Sequence, residues 1–225
     1  MEATRPATIP EPLWTTFLDL GTPRHVDQGA LLWEPGEYRN SDCFVVVRGL
    51  TRLYHVSRKG LPVTLLLSGA GSLLGHHPDL EHRPYATGAE ALCATQLLAL
   101  PAETISTWLR GSDPLSVSFS DWVRHSVNEQ LDETFVRLEL EHDSAKVKIT
   151  HTLLTLDQQA LLDRMSRQHI ADIANLSLET TVRSVTQLLR EGYLENSHFT
   201  ALSDAERSAL TGLLEPFEPA DLPYG

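Results

Sequence analysis

The chain has 225 residues, 41 % of them hydrophobic and 21 % charged, with a formal net charge of −12. Such a composition is globular and lacks the apolar poverty of a disordered chain; the length suits one large domain or two modest ones. No apolar run approaches the roughly 20 residues of a membrane helix, and the start, MEATRPATIPEPLW, has neither the basic end nor the apolar stretch of a secretory signal. A cytoplasmic location is expected. Residues 1–12 read as a loose arm, and Leu13–Leu20 as a short helix stopped by Gly21-Thr22-Pro23. From about residue 24 to 100, short β-like runs alternate with turn signals. Val26, Ala30–Trp33, Cys43–Val47, Thr51–Val56, Val63–Leu67 and Leu92–Leu100 are the expected strands. Pro35-Gly36, Arg48-Gly49, Lys59-Gly60, Gly69-Ala70-Gly71 and Gly75 break them. Many short strands at intervals of about 8–12 residues predict a small sandwich or barrel, a jelly-roll-like shell.

The texture changes at Pro101-Ala102-Glu103, a helix start. Leu115–Glu141 contains no Gly or Pro, and Leu115, Phe119, Trp122, Val123, Val127, Leu131, Phe135 and Leu138 recur at spacings of three and four. A helix of about 27 residues runs roughly 40 Å, too long for a small shell to cover. Its apolar arc is therefore expected to face its own domain along one stretch and a second copy along another, with Val123, Val127, Leu131 and Leu138 as dimerisation residues. Helical character resumes over Thr150–Leu162. Gly192-Tyr193-Leu194 and His198–Leu202, around a turn at Asn196-Ser197, read as a two-stranded hairpin; Ser203-Asp204 caps a final helix reaching about Leu214. The two cysteines, Cys43 and Cys93, read as buried reduced thiols without metal or redox spacing.

Residues 166–194, SRQHIADIANLSLETTVRSVTQLLREGYL, carry the most specific pattern. Ser166 can cap a short helix with Ile170, Ala171, Ile173 and Ala174 inward, Ala171 being small where a second helix must cross. Asn175-Leu176-Ser177 fits a tight turn: Asn tolerates the left-handed region, Leu176 can plug the core, and Ser177 can cap the next helix. That helix would expose Glu179, Thr180 and Arg183 and bury Val182 or Val185 with Leu188 or Leu189, with Gly192 ending it ahead of a wing. Arginine can donate two bonds to guanine, and a carboxylate can accept from cytosine N4. The acidic total argues against a nucleic-acid partner, but its distribution does not: residues 164–190 hold Arg164, Arg167, Arg183 and Arg190 against only Asp172 and Glu179.

On these motifs the chain resembles the Crp/Fnr superfamily over about residues 13–214. The segment Ser177-Leu-Glu-Thr-Thr-Val-Arg183 is similar to that family's usual Ser-Arg-Glu-Thr-Val-Ser-Arg. The resemblance implies an α+β chain: an N-terminal β-jelly-roll, cupin-like sensor domain over 13–112, a long dimerisation helix over 113–142, a C-terminal winged helix-turn-helix over 143–214, and a disordered tail over 215–225. It implies a homodimeric transcription regulator whose partners are double-stranded DNA with a palindromic operator, a second copy and RNA polymerase, plus an unidentified small-molecule effector. Glu179 and Arg183 would read bases, Ser177 and Thr180 would lie by phosphates, and Arg167 and Gln168 would flank them. Leu178 stands where the family has arginine. Thr181 and Ser184 stand where it has buried apolar residues, implying either a slightly rotated helix or a looser core.

Cyclic-nucleotide-binding relatives carry Gly-Glu and, about ten residues on, Arg-Ser or Arg-Thr. Here Gly75 is followed by His76-His77, and Arg83 lies eight residues after the glycine with Pro84 behind it, which removes a backbone donor. The effector pocket at Gly75, His76, His77 and Arg83 therefore reads as degenerate or repurposed, and regulation as independent of cyclic nucleotides. His76, His77 and His82 with Asp79 and Glu81 form either a polar loop or a haem or metal site; the expected cofactor set is empty. No nucleophile–base spacing, Gly-rich phosphate loop or metalloprotease motif points to an enzyme. The rival reading is a ligand-binding or protein-interaction module with a degenerate winged helix.

Overall fold

A computed structural model describes residues 4–38, 42–75, 84–196, 198–199 and 201–214. The chain divides into two compact units, Met1–Glu141 and His142–Gly225; the tail expected over 215–225 lies outside the described residues.

The first unit runs α1 (Glu11–Leu20), β1 (Thr22–Val26), β2 (Leu31–Trp33), β3 (Asp42–Arg48), β4 (Thr51–Val56), β5 (Pro62–Ser68), β6 (Leu73–Leu74), β7 (Gly88–Ala91), β8 (Thr95–Pro101), α2 (Ala102–Arg110) and α3 (Pro114–Leu140). Two four-stranded sheets, ordered β1-β8-β3-β6 and β2-β7-β4-β5, form an antiparallel jelly roll. The unbroken apolar run of β3 has a physical reason: successive side chains point to opposite faces, and both faces are covered. Cys43, Val45 and Val47 pack with Leu13, Phe17, Trp108, Phe119 and Trp122 of α1, α2 and α3, while Phe44 and Val46 pack between the sheets with Trp33, Tyr85, Ala89 and Leu97.

Three expectations for this unit are corrected. The N-terminal segment is not a loose arm after Thr4, because Ile9 is fully buried in the α1–α2–α3 core. The strand expected at Val26 begins at Thr22, directly after the helix stop at Gly21, so Pro23 lies within β1; β1 is an edge strand paired with β8, where a missing N–H is tolerated. Leu92–Leu100 is not one strand: Gly88–Ala91 forms β7 and the chain turns through Leu92–Ala94 before β8. Gly88 has no side chain for a reason visible only here, since a Cβ would fall 2.3 Å from the Tyr54 ring.

Helix α3 spans 27 residues, opened by Pro114 and capped by Asp113, whose side chain accepts from the Leu115 and Ser116 N–H groups. Its first half is anchored by Phe119 and Trp122, within 5.1 to 5.6 Å of the Trp108 ring, the Phe17 ring or each other. Its second half carries Val127, Leu131, Phe135 and Leu138, all between 45 % and 59 % exposed.

The second unit contains α4 (Ala145–Gln158), a 3-10 turn (Leu162–Arg164), α5 (Arg167–Ile173), α6 (Leu178–Arg190) and α7 (Asp204–Thr211). Ile149, Leu153, Leu156, Ile170, Ala171, Ile173, Val185, Leu188 and Leu210 are buried. The hairpin expected after Gly192 does not form among the described residues. Carboxylates satisfy the backbone donors that a partner strand would otherwise take: the Glu195 N–H donates to Glu206 Oε1 at 2.9 Å and the Leu202 N–H to Asp157 Oδ1 at 2.8 Å. Leu194 and Leu202 are buried and pin the segment to the unit. Asp157 also accepts from Arg207 Nε at 2.9 Å, tying α4 to α7.

Candidate nucleic-acid interface

Local chemistry builds the α5–α6 pair. Ser166 Oγ accepts from the His169 N–H at 3.1 Å, and His169 Nδ1 accepts from the Ser166 N–H at 3.2 Å, closing a reciprocal cap on α5. After α5 the chain reverses through Asn175 at φ 54°, a left-handed position that Asn tolerates, and the Leu176 N–H donates to the Ala171 carbonyl at 2.9 Å. Ser177 then caps α6, its Oγ accepting from the Thr180 N–H at 3.2 Å. Such a cap typically contributes about 1 kcal/mol. Leu176, the expected plug, is only half-buried.

The buried side of α6 is Thr181, Ser184, Val185 and Leu188, and Glu179 and Arg183 lie on the exposed side. The helix therefore keeps its ordinary face inward, with hydroxyls at Thr181 and Ser184. Thr181 Oγ1 has no hydrogen-bond partner among the described residues. Thr180 Oγ1 accepts from Ser177 Oγ at 2.8 Å and lies 3.5 Å from Arg183 Nη2, so Ser177, Thr180 and Arg183 are brought together at the start of α6. Arg167 and Gln168 are exposed on α5, with Gln168 Nε2 donating to Asp172 Oδ1 at 2.8 Å. Leu178, at the first helical position, is 44 % exposed and offers an apolar surface beside Glu179.

Lys146 pairs with Glu191, and Arg207 with Asp157 and Asp204. Among the described residues Arg164, Arg183 and Arg190 form no salt bridge with any carboxylate. Three more residues lie on the same side, Thr186, Gln187 and Arg190, of which only Arg190 entered the charge balance of residues 164–190; with Arg183 and Glu191 they line a hollow. Helical spacing from Glu179 was the available signal for these three. Glu191 accepts from Lys146 Nζ at 2.9 Å and from Gln187 Nε2 at 2.8 Å, and these bonds hold its carboxyl below the ordinary carboxylate range. Lys146, 45 residues away in the chain, left no sequence signal.

Of the expected dimerisation residues, Val123 is half-buried against its own core, so it belongs to the packed half of α3; Val127, Leu131 and Leu138 lie on the exposed stripe. Of the expected effector pocket, Gly75 has φ 77°; His76, His77 and Arg83, with the rest of the histidine loop, lie outside the described residues. Between the sheets, Trp33 and Tyr85 stack with centroids 4.5 Å apart, and Trp33 Nε1 donates to the Thr87 carbonyl at 2.9 Å. Cys43 and Cys93 are buried free thiols. Among the described residues no helix is long and apolar enough to cross a membrane.

Residues 23–111 match the cyclic nucleotide-binding domain family. No curated protein matches the sequence. Among solved structures, FixK2 from Bradyrhizobium japonicum is similar at 20 % identity and TM-score 0.71, over 86 % of this chain and 97 % of that one. A transcriptional regulator of the CRP/FNR family from Thermus thermophilus is similar at 22 % identity and TM-score 0.65, over 85 % and 97 %. CLP from Xanthomonas campestris, described as a c-di-GMP responsive global regulator, is similar at 18 % identity and TM-score 0.71, over 86 % and 98 %. The family match lies within the first unit, and the structural matches show that the chain shares the fold of these regulators.

Proposed function

We propose that this chain is a sequence-specific DNA-binding transcription regulator that grips a palindromic operator as a homodimer, without dependence on a cyclic nucleotide. One observation carries the reading: Glu179 and Arg183 leave the same side of a capped helix, one turn apart, while the opposite side is locked into the core. Arg183, unpaired with any carboxylate among the described residues, is free to donate to guanine O6 and N7, and Glu179 to accept from a neighbouring cytosine. Of the similar solved structures, one is described as a transcriptional regulator and another as a global regulator, and RNA polymerase is the partner through which such a protein acts.

Dimerisation is supported by the exposed stripe Val127, Leu131, Phe135 and Leu138 on α3. Replacing Val127 and Leu131 with glutamate is expected to give monomers in sedimentation velocity and to weaken operator binding. Independence from cyclic nucleotides is supported by His76 in place of the family's carboxylate and by the stacked Trp33 and Tyr85 rings between the sheets. Calorimetric titration with cyclic AMP should give no saturable heat in the low micromolar range.

The decisive test is Arg183→Ala, with affinity measured for the operator and for random duplex at one fixed salt concentration. A bidentate base contact typically supplies about 1–3 kcal/mol of discrimination, and a dimer uses it twice. Operator affinity should fall sharply and random-DNA affinity much less. An unchanged ratio of the two removes Arg183 from base reading.

A further inference from the structure

The exposed side of α6 continues for two turns past Arg183. Residues 183, 186, 187 and 190 recur at helical spacing, and together with Glu191 they bound a hollow on the surface of the second unit. Arg183 and Arg190 stand at its two ends, about 10.5 Å apart along the helix axis. The rim is not simply a row of polar groups. Thr186 Oγ1 is committed to the Val182 carbonyl at 2.8 Å, and Gln187 Nε2 to Glu191 Oε1 at 2.8 Å. The charged donors left for an incoming anion are the two guanidiniums, beside the second N–H of Gln187.

Glu191 is the one rim group that would repel an anion. Its second oxygen, Oε2, accepts from Lys146 Nζ at 2.9 Å, and that ammonium also lies 5.3 Å from the centre of the Tyr193 ring. The carboxylate is thus neutralised from the α4 side and both its oxygens are occupied, which leaves a positive balance on the rim. Neither Arg183 nor Arg190 forms a salt bridge with a carboxylate among the described residues.

We propose that this hollow seats a phosphate of the DNA backbone, with Arg190 as its principal charge and Lys146 as a positioning residue that keeps Glu191 neutralised. The proposal rests on the reading of α6 as the DNA-facing helix. It extends that helix's role from base reading at Glu179 and Arg183 to backbone gripping one to two turns later. A phosphate contact fixes register without carrying sequence information, so its signature differs from that of Arg183.

The test uses the full chain with operator and random duplex of equal length, over a salt series. Arg190→Gln should weaken both by a similar several-fold factor, leave their ratio unchanged, and lower the slope of log affinity against log salt by about 1 per protomer. Lys146→Met should weaken both in the same manner, because it exposes the Glu191 charge to the hollow; adding Glu191→Gln to that variant should restore binding. A purely structural role for Lys146 would not be rescued in this way, so failure of the double variant overturns its assignment. Wild-type binding that falls with salt, together with an Arg190→Gln variant of unchanged affinity and slope, overturns the phosphate seat alone. Wild-type protein that shows no salt-dependent DNA binding overturns the DNA reading itself.

Discussion

The interior of the jelly roll and the exposed side of α6 are opposite solutions to the placement of side chains. Between the sheets, Trp33, Phe44 and Tyr85 stack on one another and close the space with their own rings. On α6, Glu179, Arg183 and Arg190 are held out from a fixed backbone and left without intramolecular ion pairs among the described residues. The first region is filled by its own side chains; the second leaves its charges unpaired among the described residues.

The largest expected effect comes from breaking the closed side of that contrast. Trp33→Ala removes a side chain 3 % exposed in the roll and should destabilise the protein by about 3–5 kcal/mol, measured by urea unfolding. Binding of cyclic AMP by this cavity variant, but not by wild type, would show that the rings block a latent pocket. A smaller loss is expected in the second unit. Asp157→Ala orphans the Leu202 N–H and releases Arg207, and the unpaired backbone donor alone costs about 1–3 kcal/mol. Because Leu202 belongs to the segment after α6, amide exchange should rise first around residues 194–202. The smallest change has the opposite sign. Thr181→Val replaces a buried hydroxyl without a partner among the described residues and should stabilise the protein by about 1 kcal/mol. Loss of stability instead would mean that the hydroxyl is satisfied by water, and the core of the second unit is wetter than its side chains alone imply.

What the sequence by itself determined is what depends on neighbours three to four residues away. The Gly- and Pro-free apolar spacing set α3 almost to the residue, and Ser166, Asn175 and Ser177 marked the ends of α5 and α6 because capping and left-handed turns are local chemistry. Glu179 and Arg183 came from the same periodicity. Tertiary structure alone decided the rest. Gly88–Ala91 has weak strand character and becomes β7 only because β2 and β4 flank it and Tyr54 demands a glycine. The hairpin after Gly192 read well as sequence, yet Asp157 and Glu206 take its backbone donors. Lys146 reaches Glu191 across 45 residues of chain. A hydrogen bond between residues far apart leaves no period for sequence to carry, because its energy is realised only after the helices that hold its partners have packed.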